Sequence, residues 1–193
     1  METSLICTHR LQPFHRGHLN FWIEIRKNYA EHLTICVLRN SIHLERVKGE
    51  MKGPKSYKNL SRLAFAIDRN PLPNWERLRL ASIAIQNEPL LASNATVMLR
   101  DRPDVDWEKS IEDLPKNRVW VFNPQSDPDF SKAKIQFYTS KGEKVIELNL
   151  GRYEDLEGQD IRKQLSSGSD DLSFLPECCR DYFQNHCAEY FRK

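Results

Sequence analysis

The chain is 193 residues long, enough to bury one substantial core without requiring a second domain. With 39% apolar and 29% charged residues, the composition excludes a disordered or fibrous chain and suits a folded, soluble one. A formal net charge of +2, with lysines and arginines dispersed among acids, argues against nucleic acid as a partner, so an anionic ligand would be held by a few local groups.

The pattern begins with Leu5-Ile6-Cys7, a short apolar run read as a strand. A polar turn follows, and then Leu19, Trp22, Ile23 and Ile25 recur at helical spacing. Leu33–Leu38 is a β-branched apolar run suited to a buried parallel strand, which completes a βαβ unit. From about 40 to 73 the chain is rich in Lys, Asn, Gly and Pro and reads as a long surface excursion, a lid or binding element, in which Leu60–Ile67 has the spacing of a short helix. Asn74 is placed to cap a helix starting at Trp75, with Leu78, Ala81, Ser82 and Ile85 on one face.

Ala95–Leu99 and Val119–Phe122 read as further strands. Ile135–Tyr138 and Val145–Leu150 look like two more, separated by a turn at Lys141-Gly142. Gly158–Leu165 resembles a short helix stopping near Gly168, and Pro176 opens a last amphipathic helix running through Tyr182, Phe183, Cys187 and Phe191. Trp22, Trp75 and Trp120 are expected in the core. This alternation predicts an α/β fold, a doubly wound parallel sheet with helices on both faces. The expected organisation is a core over 1–170 and a C-terminal helical extension over 171–193 packed on it.

The odd, partly adjacent set Cys7, Cys36, Cys178, Cys179 and Cys187 does not read as a disulfide framework, and the last three lack the paired CxxC spacing of a zinc site. No charged leader precedes the first apolar run and no segment reaches the ~20 apolar residues of a membrane span, so a cytoplasmic protein is expected. Self-association is compatible with the pattern and is not specified by it.

In doubly wound sheets, ligands bind beyond the strand C-termini, so the residues after the first strand carry the chemical interest. There stand Thr8-His9-Arg10-Leu11-Gln12-Pro13-Phe14-His15-Arg16-Gly17-His18, immediately before a helix. In a first helical turn, i and i+3 share a face, so His15 and His18 can address one ligand. Gly17 allows close approach, and a helix N-terminus favours phosphate oxygens.

The run RLQPFHRGH resembles the GRFQPFHxGH signature of the HIGH-type (HxGH) nucleotidyltransferases, most closely the archaeal and bacterial nicotinamide mononucleotide adenylyltransferases. The resemblance implies a Rossmann-like nucleotidyltransferase fold and a triphosphate held by His15, His18, Arg10, Leu11, Gln12 and Gly17. One position departs: His9 stands where the family has glycine. Leu156-Glu157-Gly158-Gln159-Asp160-Ile161-Arg162 is similar to the family's ISGTxIR element. That similarity implies nucleotide contacts from Gly158, Gln159, Asp160 and Ile161 and a phosphate-neutralising role for Arg162. Glu157 and Gln159 replace the usual serine and threonine.

Asn70–Arg77 is similar to the family's NPFxxxER stretch, and Arg100-Asp101 followed by Trp107 resembles its RDxxxxxxxW region. By resemblance, Arg100, Asp101 and Trp107 would contact the acceptor, with Trp107 stacking on its ring. As a residue type, Trp107 reads equally well as partly buried packing. Asn123–Asp127 lacks the glycine-histidine pair of relatives.

Together these readings give an enzyme transferring AMP from ATP to nicotinamide mononucleotide or a similar mononucleotide, releasing pyrophosphate. Attack is in line, without a covalent intermediate, and is assisted by a Mg²⁺ carried on the triphosphate. Two alternatives stand beside it: a cytidylyltransferase acting on a small phosphonate or phosphorylated acceptor, and a nucleotide-sensing module without catalysis.

Overall fold

A computed structural model describes residues 3–40, 56–57, 60, 70–125, 128–150 and 157–192. Five strands form one parallel sheet in the order β3-β2-β1-β4-β5: β1 (Ser4–His9), β2 (His32–Leu38), β3 (Ala95–Arg100), β4 (Arg118–Phe122) and β5 (Lys144–Glu147). The helices are α1 (Arg16–Asn28), α2 (Asn74–Gln86), α3 (Pro89–Ala92), α4 (Trp107–Ile111), α5 (Pro128–Ser140), α6 (Gly158–Ser166) and α7 (Glu177–His186), followed by a 3-10 turn at Ala188–Phe191.

The apolar runs form buried strands because both faces of the sheet are covered. Along β1, Leu5 and Cys7 enter one core cluster and Ile6 the other; along β4, Val121 faces the first while Trp120 and Phe122 face the second. Right-handed crossovers dictate which helices cover which face. The chain steps outward one way from β1 through β2 to β3, putting α1 and α2 on the first face. It then returns through β4 to β5, which puts α4 and α5 on the opposite one.

The reversal leaves β1 and β4 adjacent, and their pairing is short. It runs from Ser4 opposite Arg118 to Ile6 opposite Trp120, whereas β1 pairs with β2 through His9 opposite Val37. Beyond Ile6 the two central strands diverge on that side, opening a crevice at the topological switch point.

Several expectations change. Ile135–Tyr138 is not a strand but the second half of α5. The local alternation suggested a strand, yet Phe130, Ala133, Phe137 and Tyr138 form one helical face on the second core cluster, and the helix wins by burying it. The strand expected over Val145–Leu150 is confined to Lys144–Glu147. The buried face of α2 is Arg77, Leu80, Ala81, Ala84 and Ile85, turned by about one residue from the expected face. That rotation leaves Trp75, expected in the core, 61% exposed, while Trp22 and Trp120 are fully buried.

Asn74 is the first residue of α2, not its cap, and its side-chain oxygen accepts from the Asn40 amide and from Arg77. Of the 40–73 excursion, Tyr57, Asn70 and Leu72 are buried and Ser56 is exposed. The short helix expected at Leu60–Ile67 lies, beyond Leu60, outside the described residues.

The C-terminal segment joins the first core cluster through Phe174, Leu175, Cys179, Phe183, Cys187 and Phe191, with the Tyr182 hydroxyl donating to Glu76 on α2 at 2.7 Å. Among the described residues, no helix is long and apolar enough to cross a membrane.

Candidate functional site

The loop after β1 is built as a rigid shelf. Leu11 has φ of 54°, a left-handed conformation rare for a residue with a side chain, and its side chain is locked in the core. The Gln12-Pro13 peptide is cis. The Gln12 carboxamide forms a reciprocal pair with the backbone of Leu72, donating at 2.8 Å and accepting at 3.0 Å. From α2, the fully buried Arg77 donates to the carbonyls of Arg10 (2.6 Å) and Leu38 (2.8 Å), tying the loop to the end of β2. Buried polar groups need such partners, and these bonds hold the loop in one shape.

On this shelf three imidazoles meet. The rings of His15 and His18 lie 3.8 Å apart between centroids, and His9 meets His18 edge-on at 5.2 Å. The His15 backbone amide donates to His18 Nδ1 at 3.3 Å, so a neutral His18 carries its proton on Nε2. Trp22 Nε1 donates to His9 Nε2 at 3.1 Å, which leaves the proton of a neutral His9 on Nδ1.

Burial pushes His15 down to about 4. His9 falls to about 3, through burial and then the nearby charges of Lys134 and His15. His18 lies well below its ordinary range, through burial first and then the neighbouring His15, His9 and Arg10. Without an anion the three rings are therefore neutral at pH 7. A bound phosphate acts in the opposite sense, favouring imidazolium.

A cavity of about 530 Å³ lies over these residues, a size suited to a small-molecule ligand. Arg10, Leu11, Gln12, His15, Gly17 and His18 line it from the β1–α1 side, and Gly158, Gln159 and Arg162 from α6. Arg162 donates from Nη1 to the Gln12 carbonyl at 2.5 Å, bridging 150 positions of sequence. Gly158 makes that approach possible: a Cβ there would stand 3.3 Å from Arg162 Nη1 and 3.5 Å from the Gln12 carbonyl oxygen.

The remaining two residues of that motif face elsewhere. Ile161 is buried in the first core cluster, and Asp160 is exposed and paired with Lys163 at 3.3 Å. Gln12 contributes its backbone to the cavity, since its side chain is committed to Leu72. The opening of α1 is also partly engaged: the Arg16 amide donates to the Phe174 carbonyl at 2.8 Å and the His18 amide to the His15 carbonyl at 3.0 Å.

The three residues expected at the acceptor are not brought to this cavity. Arg100 ends β3, two strands from β1 and so roughly 10 Å away, and is paired with Asp113 at 2.9 Å. Asp101 faces Arg39 at 3.7 Å and Lys109 at 3.5 Å. Trp107 packs beneath α5, with ring centroids 5.8 Å from Phe137 and 5.6 Å from Tyr138, so of its two readings the geometry gives packing. The opposite wall of the cavity is instead Tyr57, Phe122, Asn123, Phe130, Ser131 and Lys134. Most of these come from α5 and the end of β4. The signal for them was the helical spacing of Phe130, Ser131 and Lys134, concealed by reading a strand at 135–138.

The lining carries several cationic side chains. Arg10, Arg162 and Lys134 border it, and Glu157 at its rim is the lining carboxylate among the described residues. A predominance of cationic side chains in a low-dielectric cleft favours an anionic ligand.

The fold and the placement of the cavity define a Rossmann-like α/β protein with a crevice at the switch point. It is similar to the crystal structure of a bifunctional NMN adenylyltransferase/ADP ribose pyrophosphatase from Francisella tularensis, complexed with AMP and a manganese ion. The TM-score is 0.61 at 14% sequence identity over 98% of this chain, which is likeness of fold. The chain corresponds to 51% of that protein, about half its length. No family model matches the sequence, and no curated protein matches it.

Proposed function

We propose that the protein is a nucleotidyltransferase that transfers AMP from ATP to a phosphorylated small molecule, nicotinamide mononucleotide or a similar mononucleotide, and releases pyrophosphate. The observation that carries this reading is the meeting of His15, His18 and Arg162 around one cavity at the switch point, although Arg162 lies far from the histidines in sequence.

In this reading an acceptor phosphate oxygen attacks the α-phosphorus in line as the bond to the pyrophosphate oxygen breaks, and no protein nucleophile is used. Arg162, Arg10 and the His18 Nε2 proton orient the phosphates and take up the charge that develops on them. Arg162 holds a fixed geometry because its guanidinium is anchored on the Gln12 carbonyl, so little reorganisation accompanies reaction. The neutral resting state of His15 and His18 suits a donor role that strengthens as negative charge arrives.

Magnesium enters as an ion borne by the triphosphate. Among the described residues, no three His, Cys, Asp or Glu side chains converge as a metal cage, and Glu157 on the rim is the carboxylate able to reach such an ion. When bound, the ion offsets charge on the leaving pyrophosphate.

A second reading keeps the reaction and changes the ligands, a cytidylyltransferase acting on a small phosphonate or phosphorylated acceptor. It is favoured by the placement of Arg100, Asp101 and Trp107 away from the cavity, since nothing then ties the acceptor to a pyridine ring. A panel of triphosphates and acceptors assayed for pyrophosphate release tests both. Release with ATP and nicotinamide mononucleotide is expected, and exclusive use of CTP would select the second reading. Tight nucleotide binding with no release from any pair would indicate a nucleotide-sensing module. In the active pair, His18→Ala is expected to lower turnover by roughly 10² to 10³, as loss of a transition-state donor does. Unchanged turnover removes His18 from the reaction.

A further inference from the structure

We propose that Lys134 is a phosphate-binding residue of this cavity, reaching the ligand from the face of the sheet opposite to the histidines. The class of ligand, a phosphate-bearing small molecule, rests on the nucleotidyl-transfer reading above.

Lys134 lies on α5, is 8% exposed, and lines the cavity. Its Nζ donates to the Thr8 carbonyl at 3.3 Å and sits 4.5 Å over the Phe122 ring. Thr8 lies just beyond the point where β1 and β4 diverge, so the amine fills the split between the two central strands. An ammonium has three donors, and capping one carbonyl needs only one. A neutral amide could cap it at far less desolvation cost, so the charge is surplus to the fold. Among the described residues, the titratable groups facing it supply no counter-ion: they are Cys7 on β1, Cys36 on β2, Arg10 in the loop after β1, and His9. Burial raises both thiols, keeping them protonated. Among the described residues, no carboxylate pairs with Lys134. A buried cation that lines a cavity, with no carboxylate paired to it among the described residues, favours an anionic ligand there. Burial correspondingly lowers Lys134 to about 8, close enough to neutrality for an arriving phosphate to recharge it.

The test is titration calorimetry on the full chain with MgATP and, separately, nicotinamide mononucleotide, each at about pH 8.5 in two buffers of different ionisation heat. Wild type should take up a sizeable fraction of a proton per bound ligand, because a phosphate beside the amine raises its pKa, while the histidines remain neutral at that pH. Lys134→Met should weaken the ligand whose phosphate it holds by about tenfold or more and abolish the uptake; Lys134→Arg should restore affinity without the uptake. The ligand that loses affinity identifies whether the triphosphate or the acceptor supplies the phosphate. Lys134→Met binding both ligands like wild type, or wild type binding without proton uptake, overturns the proposal and leaves the nucleotidyl-transfer reading standing. Binding of neither ligand by wild type removes both. If Lys134→Met fails to fold, the wild-type proton uptake decides.

Discussion

His15 and His18 are held neutral at pH 7 because the fold withdraws both from water and, for His18, sets His15, His9 and Arg10 beside it. Their folded pKa values lie below the ordinary histidine value, so the unfolded chain binds more protons in the window between. Stability should therefore fall as pH drops from about 6.5 towards 4, on the order of 3 kcal/mol from His15 alone, with His18 acting in the same direction. Denaturant melts across that range check this, and saturating MgATP should flatten the profile because phosphate raises the same groups. A pH-independent midpoint would mean the rings are solvated. Arg162 belongs to the same scale. Arg162→Ala should weaken MgATP at least tenfold and loosen the loop that it holds through the Gln12 carbonyl, and Arg162→Lys should recover only a fraction of the loss because a lysine lacks the planar fork. Equal MgATP affinity in all three proteins would exclude the phosphate role. The imidazole pair was legible in advance because i, i+3 spacing at a helix opening is a local geometry. The commitment of Gln12 to Leu72 was not, since its partner lies 60 positions away.

At the scale of elements, α5 separates what local pattern can and cannot reveal. The run Ile135–Tyr138 alternates like a strand, but the fold assigns it to a helix whose apolar stripe meets Trp120 and Phe122 on β4. That assignment brings Ser131 and Lys134 to the cavity and gives Trp107 a packing role beneath Phe137 and Tyr138. Trp107→Ala should accordingly cost roughly 3 kcal/mol of stability while leaving ligand affinities within about twofold. Thermal melts and calorimetry on the same variant separate these effects; a large loss of acceptor affinity in a fully stable protein would restore Trp107 to the binding site. The short β1–β4 pairing is the element-level origin of the cavity, because the two strands diverge before the loop that carries the histidines.

Across the whole molecule, the C-terminal segment belongs to the first core. Phe174, Leu175, Phe183 and Phe191 are buried there, and the Phe174 carbonyl receives the first amide of α1. Deleting 171–193 should therefore abolish cooperative folding as well as ligand binding, since it strips several fully buried aromatic and aliphatic side chains from one face of the sheet. A truncated chain with a sharp thermal transition near that of the full chain would show this face to be self-sufficient.

By itself, the order of apolar runs and helical periods determined the α/β class, and the spacing of His15, Gly17 and His18 marked the end of β1 as the candidate site, because both are written over short stretches of chain. Only the tertiary structure decided which side chains share the cavity. It brought Arg162 to the Gln12 carbonyl and Lys134 to the diverging strands, and it kept Arg100, Asp101 and Trp107 away. Those placements depend on crossover handedness and on where two strands cease to pair, which are properties of the packed sheet that no local window of residues contains.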